Sequence, residues 1–251
     1  MKKILSGILL LMLAFVLTAC SSAEEDVFKA LEEVVVQEEE FEKQQEPLVE
    51  LEEKEQEIFD KIMALNMDDF EEISTLADEA IKNLSARQEL IDKEKSSMEK
   101  SSDQFKKAED KMKSIKDDKL KEQADKISVT MKERYDSYDE IYSTYKTSID
   151  ENKKIYELLK NEDLKLEDLE SQIEVVNDTF VKIITANETF NELTEKFNDE
   201  KMDFYKAADL DVEVEKWFLR EKGEILFSST LDKNAYILAI RLNESKNINC
   251  P

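Results

Sequence analysis

Apolar side chains recur along most of this chain at alternating steps of three and four residues. From Phe70 the series Phe70, Ile73, Ala77, Ala80, Leu84, Arg87, Ile91, Glu94, Met98, Ser101, Phe105, Ala108, Met112, Ile115 runs without a break, and eleven of its fourteen positions are apolar. That spacing keeps one stripe of an α-helix turned inward, as in a bundle or coiled coil. Leu120, Ala124, Ile127, Met131, Arg134, Tyr138, Ile141, Tyr145, Ser148, Asn152, Ile155, Leu159 keep the rhythm, and so do Leu166, Leu169, Ile173, Val176, Phe180, Ile183, Asn187, Phe190, Thr194, Phe197, Lys201, Phe204, Ala208. A shorter seam, Leu48, Leu51, Glu55, Ile58, Ile62, Leu65, follows Val27, Leu31, Val34 and Phe41, with Pro47 between. Pro47 lacks a backbone donor and is expected to kink or interrupt this first helix.

Polar punctuation separates the seams. Asp68 with Glu71 three residues on has the pattern of a capping box, and Asp117 and Asp118 supply N-cap acids, as do Asn161, Glu162 and Asp163. Helices are therefore predicted over about 24–65, 69–116, 119–160 and 166–207. The longest spans roughly 70 Å at 1.5 Å per residue. Short connections make neighbours antiparallel. The fold expected is all-α, an elongated antiparallel helical bundle or folded coiled coil of about four long helices over residues 24–208. The N-terminus, the 116–119 turn and the end of the fourth helix then share one end, expected to face the membrane. The seam either closes on its own chain or leaves a stripe for a second copy, and oligomeric state stays open.

Composition narrows the class. The chain has 251 residues but only 2 Gly and 2 Pro, too little turn material for a barrel, sandwich or doubly wound sheet. It has no His to act as a base near neutral pH and no Gly-rich phosphate loop. A non-enzyme is expected. Paired acids such as Glu38, Glu39 and Glu40, or Asp117 and Asp118, lie on helices or a turn without convergent partners, so no catalytic or metal role is assigned to them.

The N-terminus reads as an address. Lys2 and Lys3 precede an apolar run from Ile4 to Leu17, too short to span a bilayer comfortably, so residues 1–19 are expected to be a cleaved signal peptide. Leu17-Thr18-Ala19-Cys20 resembles the lipobox of bacterial lipoproteins. That resemblance implies a covalent diacylglycerol, with or without an amide-linked chain, on Cys20. Two or more acyl chains make a stable anchor, and residues 20–23 become its tether. Taking Lys2 and Lys3 from the formal charge of −25 leaves −27 on the mature chain. No cofactor is expected beyond the lipid. Of the two cysteines only Cys250 then remains, so stability must come from packing rather than disulfides. Residues 209–251, with Trp217, Gly223 and the run Tyr236 to Ile240, leave the heptad and read either as a strand pair on the bundle end or as a tail.

Three features bear on function. Residues 24–79 hold 22 acids against 4 lysines, whereas residues 93–134 hold 13 basic and 10 acidic groups. The default reading pairs the acidic first helix with the lysine-rich helices across the bundle. The alternative turns Lys113, Lys116, Lys119 and Lys121 toward anionic lipid, for at most about 1 kcal/mol each. Nucleic acid is not a credible partner for so acidic a surface. Secondly, Tyr135, Tyr138, Tyr142 and Tyr145 step along one helix face. The default is that these rings fill the core with their hydroxyls on polar partners such as Arg134 and Asn152; the functional alternative is an exposed ladder for stacking sugar rings. Thirdly, Asn187, Thr194 and Lys201 recur inside a seam flanked by Asn177, Asn191 and Asn198, where polar groups commonly fix register.

With the lipobox at Cys20, the Arg134-Tyr135-Asp136-Ser137-Tyr138 segment followed by Tyr142 and Tyr145, and Phe190-Asn191-Glu192-Leu193-Thr194-Glu195-Lys196-Phe197-Asn198 leading to Phe204-Tyr205-Lys206-Ala207-Ala208, the chain resembles the YkyA-type cell-wall-binding lipoproteins of Bacillus-like Gram-positive bacteria. The resemblance covers about residues 1–213 and departs beyond Glu213. It implies a location outside the cell membrane and a wall partner, peptidoglycan above all, with no defined active site. The leading expectation is a non-catalytic wall-binding or scaffolding rod. The runner-up is a helical adaptor for another envelope protein, a hydrolase, transporter or exported client. An enzyme acting on wall components is the weakest reading.

Overall fold

The computed structural model describes residues 22–210. Residues 1–21 and those beyond residue 210 lie outside this range, and with them the expected signal peptide (residues 1–19), the expected lipidation site at Cys20 and most of the expected C-terminal extension. Five helices follow one another: α1 (Ala23–Gln37), α2 (Glu39–Ala64), α3 (Phe70–Met112), α4 (Asp118–Leu159) and α5 (Leu166–Ala207), with a single 3-10 turn at Met67–Asp69 before α3. There is no strand among the described residues, and the all-α architecture expected from the heptads is what is found. No helix among them is long and apolar enough to cross a membrane.

The helices form four columns. α1 and α2 run end to end as the first and pack on α3, α3 packs on α4, and α4 packs on α5. The columns alternate in direction, because contacts pair early residues of one with late residues of the next, as in Gln104 with Glu33 and Gln45 with Glu94. The seam positions predicted from Ile73 to Ile115 are all buried. At one end Val27, Leu31, Phe105, Met112, Ile127 and Phe204 join in one apolar cluster, so the start of α1, the α3–α4 turn and the end of α5 share that end. At the other, Ile58, Ile62, Ile73, Leu84, Ile155 and Ile173 close the bundle.

Local chemistry sets the boundaries. Ser22 caps α1 by accepting from the Glu25 amide at 3.1 Å, and one Asp117 oxygen accepts from the Lys119 and Leu120 amides at 2.9 Å each to start α4. The capping box before α3 comes two residues earlier than expected. Asn66 and Asp69 form it, not Asp68 and Glu71, because the 3-10 turn comes first. α5 ends in a left-handed residue, Asp209 with φ 54°, where the Leu210 amide returns to the Tyr205 carbonyl and Leu210 folds onto the apolar cluster.

The first column corrects one expectation. Pro47 lies inside α2 without ending it, and the break falls at Glu38 instead. The cause is a side chain from the next column. Ser97 Oγ donates to the Gln37 carbonyl at 2.6 Å and accepts from the Phe41 amide at 3.1 Å. In a continuous helix those two backbone groups would bond to each other, so the hydroxyl has been inserted into the ladder, a recognised cause of a kink. The helix restarts with the Glu42 amide on the Glu38 carbonyl.

Candidate functional site

The non-apolar residues of the seams sit at intervals of seven, and the structure stacks them into layers. Arg87, Glu94 and Ser101 on α3 face Glu52, Gln45 and Glu38 of the first column, each set one heptad apart. Asn187, Thr194 and Lys201 repeat the spacing on α5. At 1.5 Å per residue successive layers are about 10 Å apart along the bundle. Burial of the charged members is offset by the bonds they make across columns.

In the first layer Arg87 forms salt bridges with Glu52, at 3.4 Å, and Glu55, and donates through Nε to the Tyr145 hydroxyl at 2.9 Å. Tyr145 in turn donates to Glu52 at 2.6 Å, and Tyr156 to Glu55 at 3.1 Å. Burial works against the Arg87 charge, but Tyr145, Glu55 and Glu52 hold its guanidinium protonated. Burial pushes the Glu52 carboxyl up to about 7 even with Arg87 and Tyr145 opposing it.

The second layer has carboxyl chemistry without a cation. Glu94, 1% exposed, accepts from the Gln45 amide at 2.7 Å and from the Tyr138 hydroxyl at 3.3 Å, two neutral donors. Burial raises its carboxyl to about 8; the bonds from Tyr138 and Gln45 oppose that rise, and the nearby Glu52 adds to it.

The third layer holds the kink. Glu38 turns inward and takes both terminal nitrogens of Arg134 at 2.8 Å each, while Arg134 Nε donates to Thr194 at 2.7 Å. The Ser101 hydroxyl joins Glu38 and Tyr135. In the fourth, Lys201 is fully buried, 3.9 Å from Glu32 and over the rings of Phe197 and Tyr205. Asn187 also reaches the core, where its Oδ1 has no hydrogen-bond partner.

The four candidate tyrosines are thus divided between core and rim. Tyr138 and Tyr145 are enclosed, at 0% and 1% exposure, with the Tyr138 ring against Phe41 and Phe190. Tyr135 and Tyr142 are half-buried: Tyr135 bonds Ser101, and Tyr142 donates to Asp92 at 2.8 Å with the ammonium groups of Lys95 and Lys146 beside its ring. An open ladder of four rings does not exist, because Tyr138 and Tyr145, one heptad apart, lie at the centre of the inward stripe, and Tyr135 and Tyr142, also one heptad apart, lie at its edge. Sequence reasoning placed Arg134 and the tyrosines near each other but missed Glu52, Gln45 and Glu38. Their signal was a heptad of polar residues complementary to Arg87, Glu94 and Ser101.

The acidic first column pairs across the bundle with α3 and α4 as expected, but through Arg87 and Arg134 rather than through the lysines of residues 93–134. Its core acids meet Arg87, Arg134 and Lys201, while Lys106, Lys113, Lys126 and Lys132 of the lysine-rich stretch pair with acids of α3 and α4 themselves. On the outer side of α3 and α4 lies a groove of about 360 Å³ with Met98 and Tyr135 in its lining. Its rim mixes Lys95 and Lys106 with Glu99, Asp103 and Asp139, and Lys95 bridges to Asp139 at 2.6 Å. Among the described residues no group of three or more His, Cys, Asp or Glu is placed to hold a metal ion.

Residues 22–207 match the family model YkyA, described as "Putative cell-wall binding lipoprotein". The chain is 38% identical over 198 residues to the "Uncharacterized lipoprotein YkyA" of Bacillus subtilis (strain 168), a match covering 78% of this chain and 89% of that relative. No solved structure matches it. The chain belongs to the YkyA family, a family of lipoproteins.

Proposed function

We propose that this member of the YkyA family is a non-catalytic rod that binds or scaffolds peptidoglycan from the outer face of the cell membrane. A diacylglycerol on Cys20 holds it there, and the bundle end that carries Ser22 stands nearest the membrane. The family's description and the Leu17-Thr18-Ala19-Cys20 sequence support anchor and wall partner.

The observation that carries the non-catalytic reading is where the polar chemistry goes. Arg87, Arg134, Glu52, Glu94 and Tyr145 are buried and bonded to partners on other columns, which leaves them no route to a substrate. Ligand contact therefore falls to the outer surface. The α3–α4 groove suits a polar glycan strand: the half-buried Tyr135 ring offers apolar contact, and the mixed-charge rim offers donors and acceptors. A rod of charge −27 would be repelled by anionic wall polymers at low salt, so contact through a locally balanced groove meets less resistance than contact through the first column.

Sedimentation of the chain lacking residues 1–20 with washed peptidoglycan tests this. Retention that survives removal of teichoic acid supports direct wall binding. Binding only in a whole-envelope extract shifts the reading to an adaptor for another envelope protein.

A further inference from the structure

The second polar layer presents a carboxyl that the mechanical account of the bundle does not use. Glu94 lies at the centre of the rod, between Gln45 of α2 and Tyr138 of α4, and α5 closes this region with the apolar Ala186 and Phe190. The charged neighbour that acts on it is Glu52 of α2, a like charge, and the Arg87 guanidinium one heptad away is already taken by Glu52 and Glu55. Two buried layers thus hold three acids and one guanidinium, and Glu94 is the acid outside its reach. A buried charge without a paired counter-charge is costly, and the group sheds that cost by taking a proton.

We propose that the middle of the bundle is a proton-operated lock, in which the carboxyl of Glu94 holds α2 against α3 and α4 while it carries a proton and loosens α2 when it loses it. The proton balance is simple. In the structure Oε2 accepts from the Tyr138 hydroxyl and Oε1 from Gln45, and a proton on the carboxyl keeps the layer free of net charge. Release of the proton to solvent leaves a carboxylate beside the Glu52 carboxyl with two neutral donors for support.

The direction follows from linkage. The folded state holds the proton to higher pH than the unfolded chain, so the stability it contributes is fully present below the ordinary carboxylate range and is lost as pH rises toward about 8. The chain contains no histidine to titrate in the same window. The Glu52 carboxyl, raised to about 7, titrates in that window too, so the share that belongs to residue 94 is read from the difference between wild type and Glu94→Gln.

The experiment is unfolding of the full chain between pH 5.5 and 8.5 for wild type and Glu94→Gln, with hydrogen exchange over residues 44–52. For each proton released, the unfolding constant grows by up to about tenfold per pH unit. Wild type is expected to show this growth, with exchange in residues 44–52 rising ahead of the rest of the bundle. Glu94→Gln is expected to lose one proton's share of the slope. An NMR titration of the wild-type Glu94 carboxyl, which does not depend on the variant folding, is expected to give a midpoint well above the ordinary carboxylate range. An unchanged slope in a folded Glu94→Gln, or a midpoint in the ordinary range, overturns the lock.

Discussion

The hydroxyl of Ser97 accepts the amide hydrogen of Phe41, 56 positions away in sequence, at 3.1 Å. Its own hydrogen goes to the Gln37 carbonyl, so one side chain of α3 replaces a backbone bond of the first column and creates the α1–α2 break. The break frees Glu38 to turn inward, where it meets Arg134. Kink and salt bridge are one arrangement. Ser97→Ala is expected to cost about 1–3 kcal/mol, the scale for leaving buried polar groups unsatisfied, read as a lower urea midpoint at constant m. A smaller loss would show that α1 and α2 straighten into one helix.

Arg87 neutralises a layer that also holds Glu52 and Glu55. Arg87→Leu leaves those carboxyls buried without their cation, and a loss on the order of 3–5 kcal/mol is expected from chemical denaturation. Lys106→Ala, which breaks an exposed pair with Asp103, is expected to change stability by less than about 0.5 kcal/mol.

The division of the tyrosine row predicts unequal variants. Tyr138→Ala removes a fully buried ring packed on Phe41 and Phe190 and is expected to cost about 3–5 kcal/mol. Tyr142→Ala, at the rim beside Lys95 and Lys146, is expected to cost about 1 kcal/mol or less. Equal losses in thermal melts would contradict the placement of these residues.

Stability should pass through a maximum in mildly acidic solution. Glu79, Asp103, Glu109, Glu122 and Glu151 lie below their ordinary values, Glu109 against its partial burial through the bonds from Lys132 and Ser128, and the others through pairing with Lys54, Lys106, Lys126 and Lys154. What they contribute is lost as pH falls through their folded values. Glu52 and Glu94 act in the opposite direction, and their contribution fades as pH rises toward about 7 and 8. A melting temperature that climbs steadily from pH 5 to pH 9 would contradict both carboxyl assignments.

Much of this fold was legible because a helix seam is a local pattern. Ile73 to Ile115 could be placed in the core by counting, and so could Leu169 to Phe204. Leu166, which continues that series by spacing, is exposed, since the core has ended at the first turn of α5. The break at Glu38 was hidden for a different reason. It depends on Ser97 and Arg134, which reach it only once the columns pack, whereas Pro47 announces a kink locally and yet is accommodated within α2. Composition points the acids of the first column at the lysine-rich helices as a group, whereas the particular pairs depend on Glu52, Gln45 and Glu38 matching the polar heptad of α3.

The most direct test of the account is quantitative sedimentation of the chain lacking residues 1–20 with peptidoglycan stripped of teichoic acid, beside Lys95→Glu/Lys106→Glu, which reverses two rim charges of the groove without touching the core. The wild-type chain is expected to be retained, and the variant, still folded by its helicity although it loses the Lys95–Asp139 bridge, is expected to remain in the supernatant. A wild-type chain that stays in the supernatant would contradict wall binding, and equal retention of both would contradict the groove as its site.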